Sequence, residues 1–164
     1  MVGSPKLDRI DIKILAHLQQ NSRISNVDLA EAVGLSPSPC LARVKRLEKA
    51  GYITSFNARL NLSKLADHII VFTEITLNDH RRREDFIKFE LEIRKFDSLQ
   101  ECHLVSGGYD YLLKFVSRNV NSYQEMMENI LERNIGVEKY FSYIVIKTIV
   151  QRDSVPLRAL LDDN

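Results

Sequence analysis

The sequence of 164 residues is 45% hydrophobic and 27% charged, with six Gly and four Pro, which is typical of a soluble globular protein of one or two domains. No apolar run approaches the roughly 20 residues that cross a bilayer, and the first residues lack a signal-peptide core, so we expect a cytoplasmic protein with no membrane partner. Its two cysteines, Cys40 and Cys102, are far apart and form no CxxC pair. That spacing argues against a disulfide framework or a zinc site, and we expect no cofactor.

Positive charge is concentrated in the N-terminal third. Residues 1–60 contain nine Lys or Arg against five Asp or Glu, and residues 61–164 contain fourteen against seventeen, although the net charge is only +1. A basic segment of this kind suggests a surface that faces phosphates. Ordinary variation in surface charge explains it about equally well.

The N-terminal third contains three helix patterns separated by short turns. They cover residues 8–20, a segment that begins after Ser25 or Asn26 and ends at Gly34, and residues 38–50. Residues 52–60 alternate weakly between apolar and polar side chains and predict a small two-stranded wing. Three short helices with a tight second turn and a wing describe a winged helix-turn-helix domain over residues 1–60.

The rest of the chain has a different periodicity. Residues 61–68 are polar and mixed, as is typical of a linker. Strand and helix patterns then alternate as strand 69–77, helix near 86–96, strands 99–105 and 109–116 around Gly107 and Gly108, helix near 123–131, and strand 137–150. This βαββαβ order predicts an α+β protein with a ferredoxin-like domain over residues 69–150. Residues 151–164 form a tail without a clear pattern.

Several motifs resemble those of one family of transcription regulators. They are the helix-turn-helix segment 25–36 with Arg43, Val44, Leu47 and Gly51, the phrase Leu-Ser-Pro-Ser-Pro-Cys-Leu at 35–41, and the phrase Glu-Cys-His-Leu-Val-Ser-Gly at 101–107. They resemble the motifs of the Lrp/AsnC family, and the similarity extends from residue 7 to about residue 150. The resemblance implies sequence-specific DNA binding, a second domain that senses a small effector such as an amino acid, and dimers that assemble into closed rings such as an octamer.

The third predicted helix offers a basic outer face. At 100° per residue its apolar side chains fall on one side, and the opposite side with its flanks carries Ser38, Ala42, Arg43, Lys45, Arg46 and Lys49. Ser36, before the helix, could donate to a phosphate, and Arg59 could reach the DNA backbone from the wing. A solvated basic face of a small helical domain is the alternative. The preceding turn and the wing favour contact with the major groove of double-stranded DNA.

A glycine-rich segment is the strongest candidate site in the second domain. Its residues are Ser106, Gly107, Gly108, Tyr109, Asp110 and Tyr111. The segment reads first as a hairpin turn that requires glycine. Glycine N–H groups without a Cβ could also receive a carboxylate, and Asp110 could receive an ammonium group, which together describe a free amino acid. The family resemblance adds residues near the effector or the oligomer contact, namely Val120, Ser122, Tyr143, Ile144 and Val145.

The first predicted strand is apolar on both faces, because Ile69, Val71 and Ile75 alternate with Ile70 and Phe72. The two helices of a βαββαβ fold cover only one face of the sheet. The other face then needs a second copy of the chain to cover it. A two-fold homodimer would present its two recognition helices to a pseudo-palindromic operator.

An enzymatic function is less favoured by the sequence. Cys102 and His103 are adjacent on a predicted strand and point to opposite faces, which is poor geometry for a nucleophile and its base. We find no other catalytic constellation and no spaced metal ligands, so we predict no catalytic residues and no metal site. A further alternative is an amino-acid-binding module that acts on a protein partner, which the basic helix-turn-helix disfavours.

Overall fold

The computed structural model describes residues 6–78, 83–152 and 154–161. Its contacts divide the chain into two compact units. The first, here called the helical unit, comprises Met1–Arg59 together with Val150–Asn164, and the second, here called the sheet unit, comprises Leu60–Ile149. Over the described ranges, no helix is both long enough and apolar enough to cross a membrane.

Three helices build the helical unit close to their predicted positions. They are α1 (Arg9–Gln20), α2 (Asn26–Val33) and α3 (Pro37–Lys49). Ser25 caps α2, because its Oγ accepts the N–H of Asp28 at 3.1 Å. Gly34 ends α2 in the left-handed conformation, with φ of +75°. The helix-turn-helix prediction is therefore confirmed, and local signals determine both ends of its first helix.

The three helices enclose a small apolar core. Its buried members are Ile14, Leu29, Ala30, Val33, Cys40 and Leu47. Burial raises the pKa of the Cys40 thiol, which keeps it protonated and unreactive at neutral pH. Because Cys40 and Leu47 both belong to α3, this packing covers one side of α3 and leaves the opposite side to solvent.

The predicted two-stranded wing is not formed. Residues 52–60 are irregular, and neither half pairs as a strand in the described structure. An isolated two-stranded ribbon is only marginally stable, and this segment interrupts its weak alternation with Ser55, Asn57 and Ala58. The wing prediction over 52–60 is therefore wrong for the single chain.

The C-terminal tail packs on the helical unit. A short helix, α6 (Leu157–Leu161), contacts α1, and the backbone N–H of Val155 donates to the Gln19 side-chain oxygen at 2.9 Å. The tail residues had no predicted structure. The described part of the tail thus belongs to the same unit as α1, although the sheet unit separates the two in sequence.

Deleting residues 151–164 should lower the thermal stability of the helical unit. The deletion removes the α6 contact and the Val155 hydrogen bond, together worth about 1–2 kcal/mol. Each kcal/mol lost lowers the midpoint of thermal unfolding by roughly 4–8 °C for a domain of this size. Calorimetry would measure it, with Gln19→Ala as a milder variant that removes only the hydrogen bond. An unchanged midpoint in the deletion would contradict the packing.

The sheet unit is a four-stranded antiparallel sheet with two helices on one face. Its elements are β1 (Ile69–Leu77), α4 (Arg83–Ile93), β2 (Leu99–Leu104), β3 (Tyr111–Ser117), α5 (Val120–Glu132) and β4 (Val137–Ile144). The strand order is β2-β3-β1-β4, with antiparallel pairing throughout. This topology confirms the predicted ferredoxin-like fold.

The two faces of this sheet differ in burial. Val71 and Ile75 of β1 point toward α4 and α5 and are fully buried in the core of the unit. Phe72 points to the opposite face, which neither α4 nor α5 covers, and it pairs across the sheet with Tyr143 of β4. Tyr143 and the nearby Phe141 are both more than half exposed. The helix-free face is therefore open in a single chain, and it carries these aromatic side chains together with charged ones such as Glu74 and Lys114.

The last strand is shorter than predicted. β4 pairs with β1 as far as Ile144, opposite Val71, and the Val145 N–H donates to the Ile70 carbonyl at 2.9 Å. Since β1 begins at Ile69, it offers no further backbone to the residues that follow. The predicted extension of the strand to residue 150 is therefore wrong.

Candidate nucleic-acid interface and effector site

The exposed side of α3 carries a polar and cationic stripe. Spacings of four, three and four residues bring together Ser38, Ala42, Lys45 and Lys49, all of them exposed. Cys40 and Leu47 lie buried on the opposite side. The major groove of DNA can accept a helix that packs on its own domain with one face and presents hydrogen-bond donors on the other.

The start of α3 is held against α2. The Asn26 side-chain N–H donates to the Pro37 carbonyl at 2.9 Å, which links the first residues of the two helices. Pro37 is the first residue of α3, where a backbone N–H would have no partner within the helix, so proline loses no hydrogen bond there. Ser36 occupies the exposed N-cap position of α3 and makes no capping hydrogen bond, so its hydroxyl is available to a phosphate.

The guanidinium groups of Arg43 and Arg46 form ion pairs with carboxylates at the start of α1. Arg43 Nη1 lies 2.6 Å from Asp8 Oδ2 and 2.9 Å from Asp11 Oδ1, and Arg46 Nη2 lies 2.6 Å from Asp11 Oδ2. A buried carboxylate needs nearby cations, and the long arginine side chains reach around α3 to supply them. The sequence predicted Arg46 on the outer face of α3 and Arg43 beside it; the ion pairs direct both guanidinium groups to α1, while the Arg46 side chain stays 45% exposed. A contact of either arginine with DNA stays a prediction.

Arg59 lies in the irregular segment that replaces the predicted wing. Its side chain is exposed, and its Nη1 is 3.5 Å from the Gln151 carbonyl of the tail. The tail therefore contributes to the direction of this cation. A contact of Arg59 with DNA stays a prediction.

The glycine-rich segment forms a loop at residues 105–110, longer than a tight hairpin. Asp110 anchors this loop to β1, because its N–H donates to the Ile75 carbonyl at 2.9 Å and its Oδ2 accepts the Leu77 N–H at 2.7 Å. Gly107 and Gly108 are exposed, and nothing lies within 4 Å of the place where a Cβ would stand. The loop thus places the anchored Asp110 carboxylate close to the exposed backbone of Gly107 and Gly108.

Tyr111 lies in the core of the sheet unit, not on the loop surface. Its ring is 1% exposed and lies 4.6 Å from the Phe89 ring, and its hydroxyl donates to Glu90 at 2.9 Å. Burial raises the pKa of Tyr111, so the phenol stays neutral. The Tyr111 side chain therefore packs in the core next to the loop and is not exposed on the loop surface. Ser106 is exposed and Tyr109 half-buried.

The effector residues added by the family resemblance lie at the other end of the sheet. Val120 and Ser122 form the first turn of α5 after β3 ends, and Tyr143, Ile144 and Val145 pair with the start of β1. The glycine-rich loop precedes β3, whose seven residues span roughly 20 Å at ~3.3 Å each. One sheet unit therefore does not bring all the predicted effector residues into one site.

No catalytic or metal centre is evident where the structure is described. Across these ranges, no three His, Cys, Asp or Glu side chains are grouped so that they could hold a metal ion. Cys102 packs against the core of the sheet unit. His103 lies on the opposite face, with Nε2 3.3 Å from Glu101 Oε2. The two side chains cannot act together on one substrate.

Two family models match the two parts of the chain. A model described as winged helix-turn-helix DNA-binding matches residues 7–54, and one described as Lrp/AsnC ligand binding domain matches residues 70–155. The chain belongs to the Lrp/AsnC family. It is thus a transcription regulator with a DNA-binding helix-turn-helix and a domain that responds to a small effector, as the resemblance implies.

Characterised members of the Lrp/AsnC family match over nearly the whole chain. The leucine-responsive regulatory protein of Escherichia coli strain K12 is 44% identical over 164 aligned residues, which cover 96% of this chain and 99% of that protein. The transcriptional regulatory protein DoeX of Halomonas elongata is 44% identical over 144 residues, with 88% and 90% covered. Both relatives are named as regulatory proteins, which points to regulation.

Solved structures of Lrp/AsnC regulators have the same architecture. A transcriptional regulator of Neisseria meningitidis, solved as a complex with L-Met, superposes with a TM-score of 0.87 at 35% identity, covering 95% of this chain and all of that one. An AsnC family regulator of Agrobacterium tumefaciens gives the same TM-score at 30% identity, covering 94% and 100%. The family fold thus extends over both units.

Sequence reasoning missed the partners of the two arginines. Asp8 caps α1, and Asp11 three residues later returns a hydrogen bond to the Asp8 N–H, which is a capping box. That spacing, visible in the sequence, could have located the start of α1 and its two carboxylates. The side-chain contacts that link it to α3 have no such local signal.

Proposed function

We propose that this Lrp/AsnC chain acts in the cytoplasm as a homo-oligomer that binds a pseudo-palindromic operator through α3. An amino acid bound to the sheet unit would change that binding. The observation that carries the proposal is the exposed stripe of Ser38, Ala42, Lys45 and Lys49 on a helix whose other side is buried. Ser36 and Arg59 are the proposed phosphate contacts beside it.

The aromatic cluster on the helix-free face supports a dimer. Phe72, Phe141 and Tyr143 share this face, and in a single chain Phe141 and Tyr143 are more than half exposed while Phe72 is half-buried. Burying such a patch against a second copy removes apolar area from solvent and gives a two-fold interface. The dimer would present two copies of α3 to the two half-sites of an operator.

The separation of the predicted effector residues supports a site shared between subunits. Gly107, Gly108 and Asp110 lie at one end of the sheet, and Val120 and Tyr143 belong to groups at the other end. A closed ring of dimers, such as an octamer, could place one end of a sheet against the opposite end in a neighbour. An effector bound there would touch two subunits and could alter the assembly.

The names of the relatives indicate the chemical class of the effector. The E. coli relative is named for its response to leucine, and the neisserial structure holds L-Met. We therefore propose an apolar α-amino acid, with its carboxylate on the Gly107–Gly108 backbone and its ammonium group near Asp110.

A two-stage binding assay tests the proposed function. A thermal-shift screen of the twenty amino acids, with leucine and methionine first, would identify the effector. Gel-shift titration with genomic fragments, with and without it, would then measure its effect on DNA binding. Because coupling is reciprocal, the effector should change operator affinity by about 5- to 150-fold. Failure to prefer any fragment over random DNA would overturn the proposal.

Asp110→Asn should weaken binding of the identified amino acid by about tenfold to a hundredfold. The variant keeps an oxygen that accepts the Leu77 N–H but loses the charge that would pair with an ammonium group, worth about 1.5–3 kcal/mol. Isothermal titration would measure the affinity. Asp110→Ala, which also removes the anchor of the loop, should lose thermal stability in addition. Equal affinities of Asp110→Asn and wild type would remove Asp110 from the site.

A further inference from the structure

The Asp11 carboxylate is a buried charge between α1 and α3. Its side chain is 0% exposed. Oδ1 accepts a hydrogen bond from Arg43 Nη1 at 2.9 Å, and Oδ2 accepts one from Arg46 Nη2 at 2.6 Å and one from the Asp8 N–H at 3.1 Å. Three donors thus satisfy the hydrogen bonding of one buried carboxylate.

The two arginines of α3 are tied to α1 through this carboxylate. Arg43 also donates to Asp8 at 2.6 Å, so two carboxylates hold one guanidinium group. The hydrogen bond from the Asp11 N–H, followed by the one from Arg43, lowers the pKa of Asp8, which keeps it charged at neutral pH. A phosphate that recruited Arg43 would have to replace both carboxylates. Arg46 is more accessible, since its side chain is 45% exposed.

These contacts fix the rotation of α3 about its own axis. Arg43 and Arg46 leave α3 on the side that faces the start of α1, and the stripe of Ser38, Ala42, Lys45 and Lys49 lies on the exposed side. A rotation of α3 would stretch both ion pairs around the buried Asp11. Together with the buried Cys40 and Leu47, the carboxylate therefore sets which side chains of α3 can enter a groove.

We propose that Asp11 is a positioning residue for DNA recognition, acting through Arg43 and Arg46, and that these two arginines make no phosphate contacts of their own. This inference rests on the proposed function and assigns the reading of the operator to the exposed stripe. Loss of Asp11 should lower discrimination between operator and random DNA. It should not lower the affinity for random DNA, which depends on the exposed cations.

The salt dependence of Arg46→Gln provides the first test. Each lost phosphate contact lowers the slope of log affinity against log salt by about 0.9, and a dimer on two half-sites doubles this. Arg46→Gln should weaken operator binding with an unchanged slope, whereas Lys49→Gln, the matched control on the stripe, should lower the slope. A fall of about 1.8 in Arg46→Gln would overturn the inference. The side chain of Arg46 is nearly half exposed, so this variant is the safer one for folding.

A double-mutant cycle provides the second test. Asp11→Asn should weaken operator binding about tenfold or more, with affinity for random DNA within about twofold of wild type. Because Asp11 is proposed to act through its ion pairs with Arg43 and Arg46, the double variant Asp11→Asn, Arg46→Gln should bind no more weakly than the weaker single variant. If the double variant weakened operator binding by the product of the two single effects, the inference would be overturned. A merely unfolded fraction would lower both affinities equally, and thermal melts of each variant would reveal it.

The two hypotheses fail in different ways. A wild-type protein without preference for any genomic fragment would overturn the proposed function. A specific wild-type protein whose Arg46→Gln variant loses salt slope would overturn only the positioning role of Asp11.

Discussion

Replacing Lys45 and Lys49 together with alanine should reduce operator affinity by about two to three orders of magnitude near 0.15 M salt. Both lysines are exposed on the stripe of α3, so each is expected to neutralise one phosphate per half-site. Four lost contacts in a dimer would lower the slope of log affinity against log salt by about 3.6. Fluorescence anisotropy at several salt concentrations would measure both quantities.

A matched control separates this effect from a change in net charge. Lys88→Ala with Lys95→Ala removes the same charge from the sheet unit, where Lys88 donates to the Asn134 carbonyl at 2.8 Å and Lys95 pairs with Glu92. The control should bind the operator with nearly the wild-type slope. Equal losses in the two double variants would mean that overall charge, and not the stripe, drives DNA binding.

Phe72→Asp should convert the proposed dimer to monomers at micromolar concentration. Phe72 lies on the helix-free face beside Tyr143, and it is not part of the buried core of the sheet unit. Phe72→Asp loses about 1.5–3 kcal/mol of apolar burial in each copy of a two-fold interface, even with Lys114 as its cross-strand neighbour, so the dimer dissociation constant should rise at least about a hundredfold. Sedimentation velocity would measure the assembly, and operator affinity should fall with it.

A second surface substitution makes this result specific. Leu91 of α4 is 58% exposed, outside the sheet, and Leu91→Asp introduces the same charge there. It should leave the dimer intact. A Phe72→Asp protein that stays dimeric at wild-type affinity would show that the helix-free face is not the interface. Circular dichroism would confirm that both variants keep their fold.

The recognition helix and its neighbours were predictable because their signals are local. Ser25 and Gly34 frame α2 with a side-chain cap and a left-handed C-terminus, and both signals act within one helical turn. The βαββαβ order followed from the change of apolar period after residue 68. Backbone hydrogen bonding and side-chain periodicity suffice for such elements, whatever packs against them.

The length of a strand and the presence of a wing were not predictable in this way. Val145 and the residues after it are rich in β-branched side chains, yet β4 ends at Ile144 because β1 begins at Ile69. The wing segment 52–60 likewise lacks a partner strand. A strand requires a neighbouring backbone, so its bounds depend on residues far away in sequence.

By itself the sequence determined the five helices before the tail, the order of strands, the resemblance to the family and the alternation of side chains along β1. It did not determine which face of the sheet carries Phe72, because β1 is apolar on both faces and its alternation shows only that neighbouring side chains point to opposite faces. It also placed Arg46 on the outer side of α3 and Arg43 beside it, from the direction of the helix alone. The tertiary structure decided both questions. Which face α4 and α5 cover depends on how whole elements pack together, and which carboxylates a long guanidinium side chain reaches depends on contacts that span 32 and 35 residues of sequence.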